Sequence, residues 1–169
     1  MDLNNVFCIY SEYDPDENKE YLWISTDEGL LRYDPEINKD YKKEFPVYIR
    51  DVIVNHDSLI FAGTGNNYPD SKNIFSFEDN NINFRCSAVS FDKSEANLYQ
   101  YFLDGYDKEW SHWTSDPIKE YTNLSSGKYT FHVRSKNVYG VISKEDVFGF
   151  SILSPWYFSG WAYLFYSLV

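Results

Sequence analysis

Residues 129–135 alternate strictly between apolar and polar side chains, and this pattern limits the possible folds more than any other feature of the chain. Tyr129, Phe131 and Val133 occupy every second position, with polar residues between them. Successive side chains of a strand point to opposite faces, so this spacing predicts a strand with one buried face and one solvent face that carries His132. No window has a convincing run of apolar residues at helical spacing. The sequence therefore indicates an all-β fold.

Other segments repeat the strand pattern between clusters of turn residues. Residues 82–88 alternate in the same way, and the change of phase at Val89 and Phe91 predicts a β-bulge. Aromatic residues make up 20% of the chain, which favours strands and argues against disorder. Short strands with turns at this spacing are typical of a sandwich or barrel. The remaining predicted strands are 47–54, 98–103 and 146–153.

The turn before residue 129 indicates which kind of β fold to expect. Leu124, a turn containing Gly127, and Tyr129 at the start of a strand form the pattern of a tyrosine corner, in which the phenol bonds to the backbone a few residues upstream. Tyrosine corners occur in immunoglobulin-like and fibronectin III-like β-sandwiches. We therefore predict such a sandwich over residues 46–154, with residues 129–137 as its penultimate strand.

Residues 1–42 lie outside the sandwich pattern. Residues 21–35 predict two short strands around an Asp-Glu-Gly turn, and they resemble the β-propeller repeat of two-component regulators, although Ser25 stands where that family usually has Gly. Propellers close with about four to eight blades. We therefore predict that residues 1–42 are the last, or a remnant, blade of a propeller. Residues 59–77 match the same repeat more weakly, and they are either a decayed second copy of it or an insertion.

The segment after Asp146 has no charged residue. A membrane span needs about 20 apolar residues, and residues 160–169 supply about half of that length. Aromatic rings collect at the headgroup level of a bilayer, where we place Trp156, Tyr157 and Trp161. We predict the start of a truncated transmembrane helix over residues 155–169. The alternative is a final strand and helix that close a soluble core.

Residues 46–154, taken together, resemble the triple-tyrosine (Y_Y_Y) domain, which follows the propeller in periplasmic sensor regions of two-component receptors. The resemblance implies that Tyr101, Tyr121 and Tyr129 are the tyrosines that name the family, with Gly127 and Trp110 as further structural residues. The stretches that carry the resemblance are residues 81–91, 99–110, 121–131 and 155–157.

The resemblance implies a function in signalling. It predicts an extracytoplasmic, periplasmic relay at the bacterial inner membrane, which passes a ligand-dependent rearrangement from a propeller to a membrane helix. The implied partners are the upstream propeller, downstream histidine kinase or regulator domains, a second copy bound through the sandwich, a carbohydrate ligand, and the membrane at the C-terminus. The family's signal peptide and kinase domains are not in this sequence, so a receptor fragment or a broken gene product is expected.

Composition and motifs argue against other classes of function. The net charge of -11 disfavours nucleic acid as a partner, because the chain repels phosphate backbones. His56, His112 and His132 lie in separate segments, and the two cysteines have no metal-ligand spacing. Residues 14–25 copy the start of a calcium loop but lack its Gly and its final Glu. We predict a non-enzymatic protein without cofactor or metal.

The aromatic residues outside the predicted core allow an alternative function. Exposed aromatic side chains commonly stack on sugars or form the main contacts with another protein. Tyr106, Trp113 and Tyr68 are the predicted contacts, with Trp110 as a further candidate if its ring is exposed. The alternative is therefore a carbohydrate-binding β-sandwich.

Overall fold

The computed structural model describes residues 5–27, 29–38, 40–63 and 73–155. The chain divides into two compact units, Met1–Tyr41 and Lys42–Val169. Nearly all of the regular structure is β-strand, which confirms the predicted all-β class. No helix within the described ranges is long and apolar enough to cross a membrane. Tyr68, Trp156, Tyr157, Trp161 and the predicted transmembrane helix lie outside the described residues.

The first unit is a three-stranded antiparallel sheet in the order β1-β2-β3. Strands β2 and β3 flank the Asp-Glu-Gly turn, as the sequence predicts, and β1 adds a strand that the sequence did not reveal. The turn between β1 and β2 contains Asn18 in the left-handed region, at φ 52°. The bounds are β1 (Val6–Asp14), β2 (Lys19–Thr26) and β3 (Gly29–Tyr33).

This first sheet buries very little of its apolar surface. Among its described residues only Tyr21 is buried, beneath the Arg32 guanidinium, whose carbon lies 3.6 Å from the ring centre. Phe7 is 69% exposed and Leu30 is 64% exposed. The sheet therefore has no hydrophobic core of its own. The other exposed large apolar residues of the sheet are Val6, Ile9, Tyr10, Tyr13 and Tyr33, and Ile37 and Tyr41 follow it in the same unit.

The second unit contains two four-stranded sheets, in the orders β5-β4-β7-β9 and β6-β11-β10-β8. All neighbouring strands are antiparallel except β6 and β11, which are parallel. The strands are β4 (Val47–Val54), β5 (Ser58–Ala62), β6 (Ile74–Phe75), β7 (Ile82–Ala88), β8 (Leu98–Asp104), β9 (Ile118–Tyr121), β10 (Gly127–Lys136) and β11 (Asp146–Ile152).

The inner faces of the two sheets share one aromatic core. Phe84 of β7 stacks on Phe131 of β10, with ring centres 3.8 Å apart and both side chains fully buried. Phe148 and Phe150 of β11 complete the contact with Phe84. The alternation of β10 and β7 places their apolar residues inward, because each strand presents every second side chain to the same face. The second unit is therefore a β-sandwich.

Two details of the sequence interpretation were wrong. The predicted bulge after residue 88 does not form, because β7 ends at Ala88 and the chain turns away, leaving Phe91 83% exposed. The irregularity lies opposite, in β4, between Ile49 and Asp51. His132 does not point freely into solvent, since its ring packs against Phe102.

Residues 59–77 are not a decayed blade where the structure describes them. Strand β5 pairs with β4 at the edge of one sandwich sheet, and β6 pairs with β11 at the edge of the other. The residue types of β5 and β6 are compatible with an edge strand of any sheet. Only their pairing with β4 and β11 shows which sheets they belong to. The described parts of this segment belong to the sandwich.

Candidate functional site

Tyr101 lies in the middle of β8 and points into the core. Its side chain is 1% exposed, and its hydroxyl donates a hydrogen bond to the backbone carbonyl of Asp116 at 2.7 Å. Burial is the main cause that raises the pKa of Tyr101, with smaller effects from neighbouring acidic groups. The bond fixes the loop after β8 to the inner face of its sheet.

Tyr121 connects the two sheets. It belongs to β9, and its hydroxyl donates to Asp107 Oδ2 at 2.7 Å. The same carboxylate oxygen accepts the backbone N–H of Leu103 at 2.8 Å, in β8 of the opposite sheet. Burial first, and then the bond to Asp107, raise the pKa of Tyr121. The partner of the Tyr121 phenol is therefore a carboxylate, whereas that of Tyr101 is a backbone carbonyl.

Tyr129 forms the tyrosine corner at the start of β10. Its hydroxyl donates to the carbonyl of Ser125 at 2.8 Å, four residues upstream, as the sequence pattern predicts. Gly127, at the start of β10, has room for a Cβ at ordinary contact distance from the Tyr129 ring. Gly105 is more tightly constrained, since its φ is +90° and a Cβ there would lie 2.8 Å from the Lys128 carbonyl.

Tyr121 and Tyr129 lie at the end of the sandwich where β11 finishes. Gly127, at the start of β10, pairs with Ile152, at the end of β11. The turn that contains Asp107 follows β8 at the same end, because Asp104 pairs with Thr130. The tethered phenols therefore stiffen the part of the sandwich from which the chain continues into residues 153–155.

A second aromatic group covers the outer face of the sheet that contains β8 and β10. We call it the outer aromatic layer, and all of its members are half-buried. The Trp110 ring lies 5.7 Å from the Phe102 ring and 6.4 Å from the His132 ring. The layer consists of Phe102, Trp110, Trp113, His132, Arg134 and Lys136.

Cations lie over both tryptophan rings in the outer aromatic layer. The Arg134 guanidinium carbon is 4.2 Å from the Trp110 ring centre, and Lys136 Nζ is 4.5 Å from that of Trp113. Arg134 Nε also donates to Gln100 Oε1 at 2.9 Å, which fixes the guanidinium in place. A cation over a ring takes one of the two faces on which a sugar could stack. Tyr106, by contrast, is 58% exposed, with its ring edge-to-face against Tyr121.

Asp146 is a buried carboxylate that sequence reasoning did not single out. It is 3% exposed at the start of β11, and its Oδ2 accepts the backbone N–H of Ile49 in β4 at 2.8 Å. This bond joins the last strand of one sheet to the irregular part of the other. Burial, and secondarily the charge of Asp146, raises the pKa of the Cys86 thiol.

The first unit carries an open cavity of about 320 Å³. Arg32 and Asp34 line it, and Lys19 Nζ lies 3.4 Å from Asp34 Oδ2. The remaining lining residues are Glu17, Tyr21 and Ile37.

The histidines do not form a common site. His56 Nε2 lies 3.1 Å from Glu120, whereas His132 Nδ1 lies 3.5 Å from Glu145. In the part of the chain that the structure describes, no three His, Cys, Asp or Glu side chains are arranged to hold a metal ion.

Solved structures with a similar fold include extracellular domains from B. thetaiotaomicron. The extracellular domain of BT4673, described once as a one component system and once as a hybrid two component system, superposes with TM-scores of 0.53 and 0.54 at 22% and 24% identity. That of the hybrid two component system BT3049 superposes with a TM-score of 0.58 at 18% identity. At these identities the likeness shows the fold alone.

The superpositions are unequal in coverage. They include 86% of this chain for BT4673 and 89% for BT3049, but only 20% of each of those chains. This chain therefore spans about one fifth of the length of its structural neighbours. Among curated proteins no sequence matches. Residues 90–152, which include Tyr101, Tyr121 and Tyr129, match the family described as the Y_Y_Y domain.

Proposed function

We propose that this chain is a non-catalytic, extracytoplasmic sensor and relay module of a two-component receptor. In this proposal residues 1–42 are the last blade, or a remnant, of a propeller, and residues 46–154 are the Y_Y_Y sandwich. Residues 155–169 begin a transmembrane helix. The observation that carries the proposal is the superposition on extracellular domains of hybrid two component systems over 86% to 89% of the chain, well beyond the Y_Y_Y match.

The exposed apolar residues of the first unit support its assignment as a blade. A sheet with a hydrophobic face is stable when that face is buried against another element. Phe7 and Leu30 remain mostly exposed here, and the sheet has only one buried residue among those described. Neighbouring blades would supply the missing contacts. The structural neighbours are more than four times as long as this chain, so they have room for many such units.

The bonds between the two sheets support a mechanical relay. Tyr121–Asp107 and Asp146–Ile49 each connect one sheet to the other, at opposite ends of the sandwich. Packed interiors with such cross-connections transmit a displacement instead of absorbing it. A rearrangement delivered to the sandwich would therefore reach the end of β11 and the residues after it. Self-association through the sandwich and a carbohydrate ligand at the propeller complete the proposal.

A chimeric receptor tests the relay. The part of the BT3049 extracellular domain that superposes on residues 42–155 is replaced by this segment, and stimulus-dependent reporter transcription is measured. We expect the response to be retained, and to be lost when four glycines are inserted after Leu153, because they uncouple β11 from the following residues. A folded, exported chimera that ignores the stimulus, or a glycine variant that still responds, would contradict the relay.

The two cysteines provide a test of location. Cys8 is exposed, whereas Cys86 is buried and its thiol pKa is raised, so only Cys8 should react with a maleimide at neutral pH. In cells that express the gene, with a permeable outer membrane, a membrane-impermeant maleimide should label Cys8 before lysis. The Cys8→Ser variant is the control. Labelling that appears only after lysis would place the chain in the cytoplasm.

A further inference from the structure

Strand β6 is a two-residue parallel strand that holds the end of β11. The backbone N–H groups of Ser151 and Leu153 donate to the carbonyls of Asn73 and Phe75, each at 2.9 Å. Asn73 Nδ2 also donates to the carbonyl of Gly149 at 2.9 Å. The last residues of β11 are therefore bound on one side by β10 and on the other by residues 73–75, which we call the clasp.

The clasp continues into a segment that is tied to the other sheet. Asp79 accepts two side-chain bonds: Ser76 Oγ donates to its Oδ2 at 2.7 Å, and Asn55 Nδ2 donates to its Oδ1 at 2.9 Å. Asn55 lies in the turn after β4, at φ 50°, and its N–H donates to the carbonyl of Asn81 at 2.9 Å. A continuous path of hydrogen bonds therefore runs from the β4–β5 turn to the clasp.

The clasp is much more weakly attached than β10, the other neighbour of β11. Strand β10 pairs with seven residues of β11, from Asp146 to Ile152, whereas β6 pairs with two. Phe75 is the one apolar side chain of the clasp that reaches the core, 6% exposed and with its ring centre 5.8 Å from that of Phe150. Asn73 is 7% exposed and is held by its polar bond to Gly149. Ile74 is 57% exposed. Few buried contacts characterise segments that open locally while the rest of the fold stays intact.

We propose that the clasp detaches from β11 independently of the rest of the sandwich, and that its attachment sets the direction in which the chain leaves β11. When the clasp is closed, Leu153 stays in the plane of the sheet; when it is open, only β10 holds the end of the strand. The consequence for signalling rests on the proposed relay, in which the clasp would gate the step from β11 to the following residues. The detachment itself is a property of this chain alone.

Amide exchange in the full chain, measured residue by residue by NMR, tests the detachment. Asn73→Asp keeps the size of the side chain but removes the donor to Gly149, so the Ser151 and Leu153 amides should exchange about tenfold faster. The amides of β11 that face β10 should not change. The matched control is Gln100→Glu, which removes an equivalent side-chain bond, to the Ser111 carbonyl, at the opposite edge of the sheet. Gln100→Glu should leave the exchange rates of the Ser151 and Leu153 amides unchanged.

Equal acceleration of every β11 amide would show global loosening and overturn the proposal, as would unchanged exchange at Ser151 and Leu153. A disulfide gives the converse test. Ile74 and Ser151 are register partners, so Ile74→Cys with Ser151→Cys in a Cys8→Ser background can lock the clasp. Oxidation should slow exchange at Leu153 about tenfold or more relative to the reduced protein. No slowing on oxidation would mean that the clasp does not open.

The chimeric receptor separates this inference from the proposed function. With the clasp locked by the disulfide, the stimulus response should disappear and then return on reduction. A locked chimera that still responds would remove the clasp from signalling while leaving the relay intact. A chimera that never responds, although clasp detachment is measured in the isolated chain, would contradict the relay and not the clasp.

Discussion

The two units of this chain use similar residues in opposite ways. In the sandwich, Phe84 and Phe131 are fully buried and stacked on each other. In the three-stranded sheet, Phe7 and Ile9 are 69% and 61% exposed. Both regions consist of strands with many aromatic residues, so strand formation alone does not produce a core. A second sheet does so in the sandwich, whereas the described residues of the first unit form a single sheet with one buried side chain.

The largest expected difference between the units is in hydrogen exchange. The central strand β10 of the sandwich should exchange only by global unfolding, whereas the first sheet should open locally because almost nothing is buried on it. We expect amides in β1 to exchange at least about a thousandfold faster than those in the centre of β10. Residue-resolved exchange of the full chain checks this. Equal protection would show that the first unit is stable without further partners.

A Phe→Ala substitution in each unit sharpens the comparison. Phe131→Ala removes a fully buried ring and should lower the free energy of unfolding of the sandwich by about 3–5 kcal/mol. Phe7→Ala, its counterpart in the first unit, should change that free energy by less than about 0.5 kcal/mol. Urea titrations monitored by far-ultraviolet circular dichroism measure both. A large effect of Phe7→Ala would show that the sandwich depends on the first sheet.

Tyr121 and Tyr129 allow a finer comparison within the sandwich. Tyr121→Phe removes a bond to a carboxylate and leaves Asp107 with one donor fewer, at a cost of about 2 kcal/mol. Tyr129→Phe removes a bond to a neutral carbonyl and should cost about 1 kcal/mol. The urea midpoints of the two variants show which substitution lowers stability more. The reverse order would mean that the tyrosine corner, and not the bond between sheets, dominates at this end.

The tyrosines also predict how stability depends on pH. The pKa of Tyr101 and that of Tyr121 are both raised, chiefly by burial, so the folded state holds these protons more tightly than the unfolded chain does. Their contribution is fully present below about pH 10 and is lost as the pH rises above that value. The free energy of unfolding should therefore decrease less between pH 8 and pH 11 in Tyr121→Phe than in the wild type. An identical decrease in the free energy of unfolding of both proteins would contradict this prediction.

Individual contacts are weakest in the outer aromatic layer. Trp110→Ala removes one cation–ring contact and Trp113→Ala removes two, each of about 0.5–1 kcal/mol at a partly exposed site, together with some packing. Glycan titrations against both variants test the carbohydrate-binding alternative. We expect no glycan affinity that depends on these rings. Tight binding that is lost in the variants would favour the binding module over the relay.

The main strands could be predicted from sequence because their signal is local. Strand β4 covers the predicted residues 47–54, and β8, β10 and β11 lie within one or two residues of their predicted bounds. In each of these strands, buried and exposed side chains alternate along much of its length, and only a strand gives that period. The tyrosine corner was equally predictable, since Tyr129 and Ser125 are only four residues apart.

The remaining features depend on partners that are distant in sequence. Strand β6 has two residues and exists because β11 lies beside it, 77 positions later in the chain. The bond from Asp146 to Ile49 spans 97 positions and places a carboxylate in the core, against the usual preference of charged residues for solvent. The Tyr121–Asp107 bond joins opposite sheets. Such contacts have no local signature, so the sequence predicted none of them.

The position of β11 between an antiparallel and a parallel neighbour has a mechanical consequence. A pulling force applied along the strand at Leu153 loads the hydrogen bonds to β10 and to β6 in shear, so that they must break together and not one after another. The strand should therefore resist extraction strongly in this direction. A sideways force would instead peel away the two-residue contact with β6 first. The same strand end would thus be stiff to axial tension and compliant to lateral load.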